Sequence, residues 1–131
     1  MIEHSSDIYK WGIYTRPELK NLFYQNITFF GDAAHPIVPF MGQGGCLALE
    51  DAYVLGELFV KNNKNYGLAQ KIYKNNRSKR IRYIQRRSLY QAKLNHLKNP
   101  LISSIRNIIM KHTPIMSFMT KKIWEYKPLI D

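Results

Sequence analysis

Residues Gly31 to Ala52 read GDAAHPIVPFMGQGGCLALEDA, and this stretch decides the local fold of the chain. An apolar run, Ile27 to Phe30, leads into a Gly-Asp pair, a loop with two prolines and a glycine-rich turn. A segment of helical character follows the glycines. This order predicts a strand, a loop and a helix.

Two parts of the stretch suggest a ligand site. The glycines between Gly42 and Cys46 let a ligand approach the backbone, and the first N–H groups of a following helix attract anionic or electron-rich groups. Asp32 offers carboxylate oxygens that accept hydrogen bonds from the hydroxyls of a sugar alcohol. Together they suit a ligand with a polyol chain and an electron-rich ring edge.

The glycine pattern differs from two common nucleotide-binding motifs. In the dinucleotide fingerprint a third glycine would replace Leu47, and the glycines would follow the strand directly. A P-loop needs Gly-Lys-Ser or Gly-Lys-Thr, which is absent here. From spacing alone, a glycine-rich connection that caps an ordinary helix remains the alternative.

The central stretch resembles the second FAD-binding motif of the single-component flavin-dependent aromatic monooxygenases, which include salicylate hydroxylase, urate hydroxylase and the plant zeaxanthin epoxidases. The residues that carry this resemblance are Gly31-Asp32-Ala33-Ala34-His35-Pro36, Pro39, Gly42-Gln43-Gly44-Gly45-Cys46 and Glu50-Asp51-Ala52. Looser similarity extends from Trp11 to Arg77. The sharp match is confined to the centre of the chain.

The resemblance implies a role for each part of the motif. Asp32 would bind the ribityl chain of FAD, and Pro36 and Pro39 would line the cavity where substrate meets the flavin. The backbone that would face the pyrimidine edge of the flavin is that of Gly42, Gln43, Gly44, Gly45 and Cys46. NADH or NADPH would reduce the flavin, and one oxygen atom from O2 would enter a small aromatic or similarly electron-rich substrate. No catalytic side chain and no metal ligand is predicted.

The length of the chain argues against a complete enzyme of this kind. Its 131 residues correspond to one domain, and Gly-x-Gly-x-x-Gly, which marks the amino-terminal unit of the family, occurs nowhere in it. We therefore interpret the chain as a carboxy-terminal FAD-binding part that is inactive alone. A separate amino-terminal half is a candidate partner, and a non-functional gene fragment is the alternative.

The predicted fold class is an α/β fragment, with one or two strands from the flavin and substrate domains, a long helix and a helical carboxy-terminal region. Residues 1–26 would end the substrate-domain sheet, 27–60 would form the FAD motif, and 61–131 would be helical. Within the first part, residues 8–14 favour a strand and residues 19–24 a short helix or turn. The run 27–30 fits a strand that is buried on both faces.

The helices are predicted from apolar spacing and capping signals. The first would run from about Gly45 to Val60 and the second from Tyr66 to about Leu97. Asn99-Pro100 and Thr113-Pro114 would each start a further helix. The last two could lie in a membrane interface, but packing against the rest of an enzyme is the preferred interpretation.

Three polar groups of the motif leave alternatives open. Cys46 could be an activated thiol, although a small residue packed beside the cofactor is preferred. His35 could be a base, although a hydrogen-bonded structural histidine is preferred. Glu50 and Asp51 could bind an arginine or solvate the outer surface, in either case with a structural role.

The charge of the chain raises a competing function. The formal net charge is +11, and no Asp or Glu lies between Leu58 and Trp124. Such a block could bind nucleic acid or an anionic membrane. Because lysines alternate with asparagines, we attribute the charge to compositional bias and expect no nucleic acid partner. No signal peptide or spanning apolar run is apparent, so a cytoplasmic chain is expected.

Overall fold

The computed structural model describes residues 8–63 and 65–128. Their regular elements are, in order, β1 (Phe23–Tyr24), β2 (Ile27–Thr28), α1 (Gly44–Lys61), α2 (Tyr66–Asn95), α3 (Pro100–His112) and α4 (Ile115–Trp124). Two 3₁₀ turns, Gly31–Ala33 and Pro39–Met41, join the hairpin to α1. This confirms the predicted α/β fragment with its helical carboxy-terminal region. The three-part division stays a prediction, and its ends at 1–7 and 129–131 lie outside the described residues.

The strands form one small antiparallel hairpin. Phe23 pairs with Thr28 and Tyr24 with Ile27. A strand at 27–30 buried on both faces was a wrong prediction, because the regular part covers only two residues and Ile27 is 58% exposed. The short helix or turn predicted at 19–24 is also wrong in part, since β1 lies there.

The strand predicted at residues 8–14 is wrong. This segment has no regular structure, and its aromatic residues Tyr9, Trp11 and Tyr14 are exposed. Aromatic and β-branched residues favour a strand only when a neighbouring strand supplies hydrogen bonds and packing. In the described part of the chain no strand pairs with this segment.

Helices α1 and α2 form the core by packing against each other. The predicted bounds of α1 are correct to within one residue at each end, and α2 ends two residues before Leu97. Helical periodicity places apolar side chains on one face of each helix, and most of the residues on those two faces are buried, with Leu55 of α1 only partly buried. The buried apolar residues are Leu47, Val54 and Leu58 of α1 and Ala69, Tyr73, Ile81 and Ile84 of α2.

Helices α3 and α4 pack much less tightly. The predicted cap of α3 is confirmed, because the Asn99 side chain accepts hydrogen bonds from the N–H groups of Leu101 and Ile102. No residue of α3 is buried, and in α4 only Ile123 is buried. In the described residues no helix combines the length and apolar character needed to cross a membrane.

Candidate functional site

The first 3₁₀ turn presents Asp32 at the surface. Gly31 has a φ of 57°, and its carbonyl accepts hydrogen bonds from the N–H groups of Ala34 (2.9 Å) and His35 (2.8 Å). The turn packs against α1, where a Cβ built on Gly31 would lie 3.3 Å from the Cβ of Ala48. Asp32 is exposed, and its carboxylate has no partner among the described residues. It is therefore available to a ligand.

The start of α1 is open. Gln43 precedes the helix but makes no capping hydrogen bond through its side chain, and the first turn contains no acidic residue. A Cβ built on Gly44 or Gly45 would meet no atom within 4 Å. The first N–H groups of a helix have no intrahelical partner and carry partial positive charge. This end can therefore receive an electron-rich group.

Cys46 lies in the first turn of α1. Its side chain is exposed in the described part of the chain, whereas the buried residues of α1 begin at Leu47. The preferred interpretation places Cys46 beside a bound cofactor, so it stays a prediction. A bound ligand could cover Cys46.

The loop between the two turns is tied to α2. Ser88 of α2 donates a hydrogen bond of 2.6 Å to the carbonyl of Val38. Pro36 is half-buried, and Pro39 is exposed at the start of the second 3₁₀ turn. Gly42 ends this turn with a φ of 63°, a left-handed conformation that glycine adopts without strain. A substrate cavity beside the two prolines stays a prediction.

A buried carboxylate lies beneath the turn. Asp51 of α1 accepts hydrogen bonds from Arg77 Nε at 2.7 Å, from the Gly31 N–H at 3.2 Å and from His35 Nε2. Asp51, Arg77 and His35 are all 0% exposed. His35 Nδ1 is buried without a partner among the described residues, where the hydrogen bond to Asp51 is thus the one that the ring makes. His35 is thus buried and hydrogen-bonded, as the structural interpretation requires, and the expectation that it has no catalytic role stays a prediction.

Glu50 extends the buried ion pair into a network. It accepts hydrogen bonds from Arg77 Nη2 at 2.8 Å and from Arg80 Nη2 at 2.8 Å. Arg80 also donates to the carbonyls of Lys122 and Ile123. The guanidinium carbon of Arg80 lies 4.0 Å from the centre of the Tyr126 ring, a cation–π contact. Glu50 and Asp51 thus bind arginines and do not solvate the outer surface.

Sequence reasoning reached Arg77 only as the end of the looser family similarity and missed its partners. Arg80 and Tyr126 were missed altogether. The available signal was a pair of adjacent acids in α1, facing a following helix in which residues 77 and 80 are basic and share a face. The pairing joins residues 26 to 30 positions apart, which no local pattern specifies.

Asp51 and Arg77, the ion pair at the centre of this network, both stay ionised. Burial raises the pKa of Asp51, but the hydrogen bond from His35 and the charge of Arg77 outweigh it and hold this pKa below its ordinary value. Burial lowers the pKa of Arg77, yet the hydrogen bond to Glu50 and the charge of Asp51 leave it above its ordinary value. The interior therefore holds the Asp51 carboxylate and the Arg77 guanidinium as a charged pair, and each of them is hydrogen-bonded.

The residues present fit the flavin part of FAD on two observations. Asp32 supplies acceptors for a polyol chain, and the open first turn of α1 supplies donors for an electron-rich ring edge. In the described part of the chain no three His, Cys, Asp or Glu side chains are grouped so as to hold a metal ion.

Comparison with known proteins identifies aromatic-ring oxygenases as relatives. The chain is 29% identical over 117 residues to 3-hydroxybenzoate 6-hydroxylase of Polaromonas naphthalenivorans (strain CJ2), and the match covers 89% of the chain and 29% of the relative. It is 30% identical over 122 residues to 3-hydroxybenzoate 6-hydroxylase 2 of Aquipseudomonas alcaligenes, and the match covers 93% of the chain and 38% of that relative. It is 33% identical over 101 residues to 6-hydroxynicotinate 3-monooxygenase of Bordetella bronchiseptica, and the match covers 76% of the chain and 26% of that relative.

These matches confirm the resemblance inferred from the central motif. They extend well beyond that motif, since they cover most of the chain. The chain nevertheless spans only between 26% and 38% of the length of these curated relatives. No family model matches the sequence.

Proposed function

Because this chain is related in sequence to aromatic-ring hydroxylases and monooxygenases, we propose that it is the carboxy-terminal FAD-binding part of such an oxidoreductase. Two features together carry the proposal: the exposed carboxylate of Asp32, which has no partner among the described residues, and the open start of α1. The turn that bears Asp32 packs against that same helix. A single flexible molecule with a ring and a polyol tail is what these two features would hold.

Each residue has a defined task in this proposal. Asp32 accepts hydrogen bonds from the ribityl hydroxyls. The backbone of the segment Gly42 to Cys46, which includes Gln43, Gly44 and Gly45, faces the pyrimidine edge of the ring, and the N–H groups at the start of α1 stabilise negative charge on it. Pro36 and Pro39 border the substrate cavity. Bound FAD, reduced by NADH or NADPH, would supply the oxygen-transfer chemistry, and the chain supplies position and electrostatics.

The complete activity requires more protein than this chain contains. The relatives are several times as long as the segment that they share with it, and the sequence lacks the glycine fingerprint that binds the pyrophosphate of a dinucleotide. We propose that a separate amino-terminal half provides that part. The substrate would be a small aromatic compound, as the names of the relatives indicate for those enzymes.

Riboflavin tests the local site, since it carries the ring and the ribityl chain without the adenine half. Saturable quenching of its fluorescence by the purified chain is expected. Gly45→Val would remove this binding by filling the space over the first turn of α1, which is empty in the chain itself. Gly56→Val is the matched control, because it adds the same bulk to an equally open position farther along α1.

Asp32→Asn tests the second half of the site and is expected to weaken riboflavin binding by about tenfold, the loss of a charge-assisted hydrogen bond. Its control is Glu57→Gln on α1. Equal affinities for the wild-type chain, Gly45→Val and Asp32→Asn would contradict the proposed site. A wild-type chain that does not quench riboflavin at all would contradict it as well.

A further inference from the structure

One carboxylate links the two parts of the proposed flavin site. The N–H of Gly31, immediately before Asp32, donates to Asp51 Oδ2 at 3.2 Å. His35, three residues after Asp32, donates to the same oxygen. Since Asp51 belongs to α1, its side chain fastens the turn on both sides of Asp32 to the helix whose first residues form the other part of the site.

The Asp51 carboxylate is in turn held by α2. Arg77 Nε donates to Asp51 Oδ1 at 2.7 Å, which leaves Oδ2 for the turn. Arg77 Nη2 donates to Glu50 at 2.8 Å, so one planar guanidinium spans two consecutive acids of α1. The guanidinium cannot rotate without breaking these bonds, and its burial excludes the water that could replace them.

We infer that Arg77 is a positioning residue for the flavin site: through Asp51, it fixes the turn that carries Asp32 against the start of α1. The identity of the ligand in this inference, a flavin, rests on the proposed function. The coupling between α2 and the turn does not, since it consists of contacts within the chain. The two claims can therefore fail separately.

Hydrogen exchange measured on the full chain tests the coupling. In Arg77→Met the amide of Gly31 is expected to exchange about tenfold faster relative to the amide of Ile84, because its acceptor is no longer oriented. Ile84 lies in the core part of α2 and reports global stability. Arg77→Lys keeps the charge and is expected to restore part of the protection.

Arg82→Met is the matched control on the same helix. Arg82 also forms two hydrogen bonds to a carboxylate, at 2.8 and 2.9 Å to Glu18, but its side chain is 50% exposed, and within the described residues its hydrogen bonds go to Glu18 and not to the turn. Exchange at Gly31 should be unchanged in this variant. If Arg77→Met does not fold, the comparison between Arg77→Lys and Arg82→Met is decisive, since the lysine cannot reproduce the fork that spans both acids.

Riboflavin binding provides a second measurement that stability alone does not change. The affinity is expected to fall about tenfold in Arg77→Met, to be intermediate in Arg77→Lys and to stay at the wild-type value in Arg82→Met. An equal acceleration of exchange at Gly31 and Ile84 would overturn the coupling, since that is the pattern of global destabilisation.

Two further outcomes separate the claims. Selective loosening of the turn with undiminished riboflavin affinity would overturn the role of Arg77 at the flavin site. A wild-type chain that does not bind riboflavin would overturn the proposed function, and with it the role at that site. Faster hydrogen exchange at Gly31 than at Ile84 in Arg77→Met would then still support the coupling of α2 to the turn.

Discussion

Gly31 occupies a position that only glycine suits. Its φ of 57° lies in the left-handed region, and an added Cβ would lie 3.3 Å from the Cβ of Ala48. Gly31→Ala is therefore expected to lower the free energy of unfolding by about 1–2 kcal/mol, the cost of that conformation for a residue with a side chain. Urea denaturation followed by circular dichroism measures it.

The control for this substitution lies in α1. Gly56 has an ordinary helical backbone, and a Cβ there would meet nothing within 4 Å. Gly56→Ala should raise the free energy of unfolding by up to about 1 kcal/mol, because alanine is the better helix former. Equal effects of the two alanines would show that the strain at Gly31 is not real.

Because of Asp51, the stability of the chain is expected to depend on pH in the acid range. Its pKa is lower in the folded state than in the unfolded chain, where it is about 3.9. The stabilisation is therefore complete above about pH 4 and is lost as the pH falls through the folded-state pKa. The groups that face this carboxylate are His35, Arg77, Tyr73 and the N–H of Gly31.

Asp51→Asn tests this assignment. The variant should be less stable than the wild type by about 3–5 kcal/mol above pH 4, because Arg77 loses a buried partner, and its stability should fall less steeply with acid. Glu18→Gln is the comparison, since the hydrogen bond from Arg82 lowers the pKa of the half-buried Glu18. A steep acid slope that persists in Asp51→Asn would assign the acid transition to another group.

At the scale of elements, α2 and α3 differ in what their apolar faces contact. Ile84 of α2 is completely buried in the core, whereas Ile108 of α3 is 60% exposed. Ile84→Ala should cost about 2–5 kcal/mol of unfolding free energy, through lost burial and a cavity. Ile108→Ala should change it by no more than about 0.5 kcal/mol.

Chemical denaturation of both variants in parallel measures this difference. The isoleucines are removed by the same substitution from helix interiors, so intrinsic helix propensity contributes equally. A cost at Ile108 as large as that at Ile84 would mean that α3 packs against something in solution, such as a second copy of the chain. The five apolar residues that α3 exposes are Leu101, Ile102, Ile105, Ile108 and Ile109.

For the whole molecule, the proposed function limits how firmly FAD can bind. In this proposal the exposed Asp32 and the open start of α1 bind the flavin half of the cofactor, and the sequence has no glycine fingerprint for the pyrophosphate. We therefore expect the purified chain to lose FAD on desalting and to show no stoichiometric flavin absorbance. A yellow protein with one FAD per chain would contradict this expectation.

The local elements followed from the sequence because their causes are local. Apolar spacing predicted α1 and α2 with their buried faces, and Asn99-Pro100 predicted the start of α3, since a side-chain cap acts over two or three residues. The motif from Gly31 to Ala52 also indicated the family resemblance that the relatives confirm.

Only the tertiary structure decided what those elements pair with. The sequence at residues 8–14 has strand propensity, but pairing requires a neighbour, and none of the described strands provides one. The acids of α1 could have faced water. Their burial against Arg77 and Arg80 depends on how two helices pack across 26 to 30 residues of sequence, and that packing fixes the turn that carries Asp32.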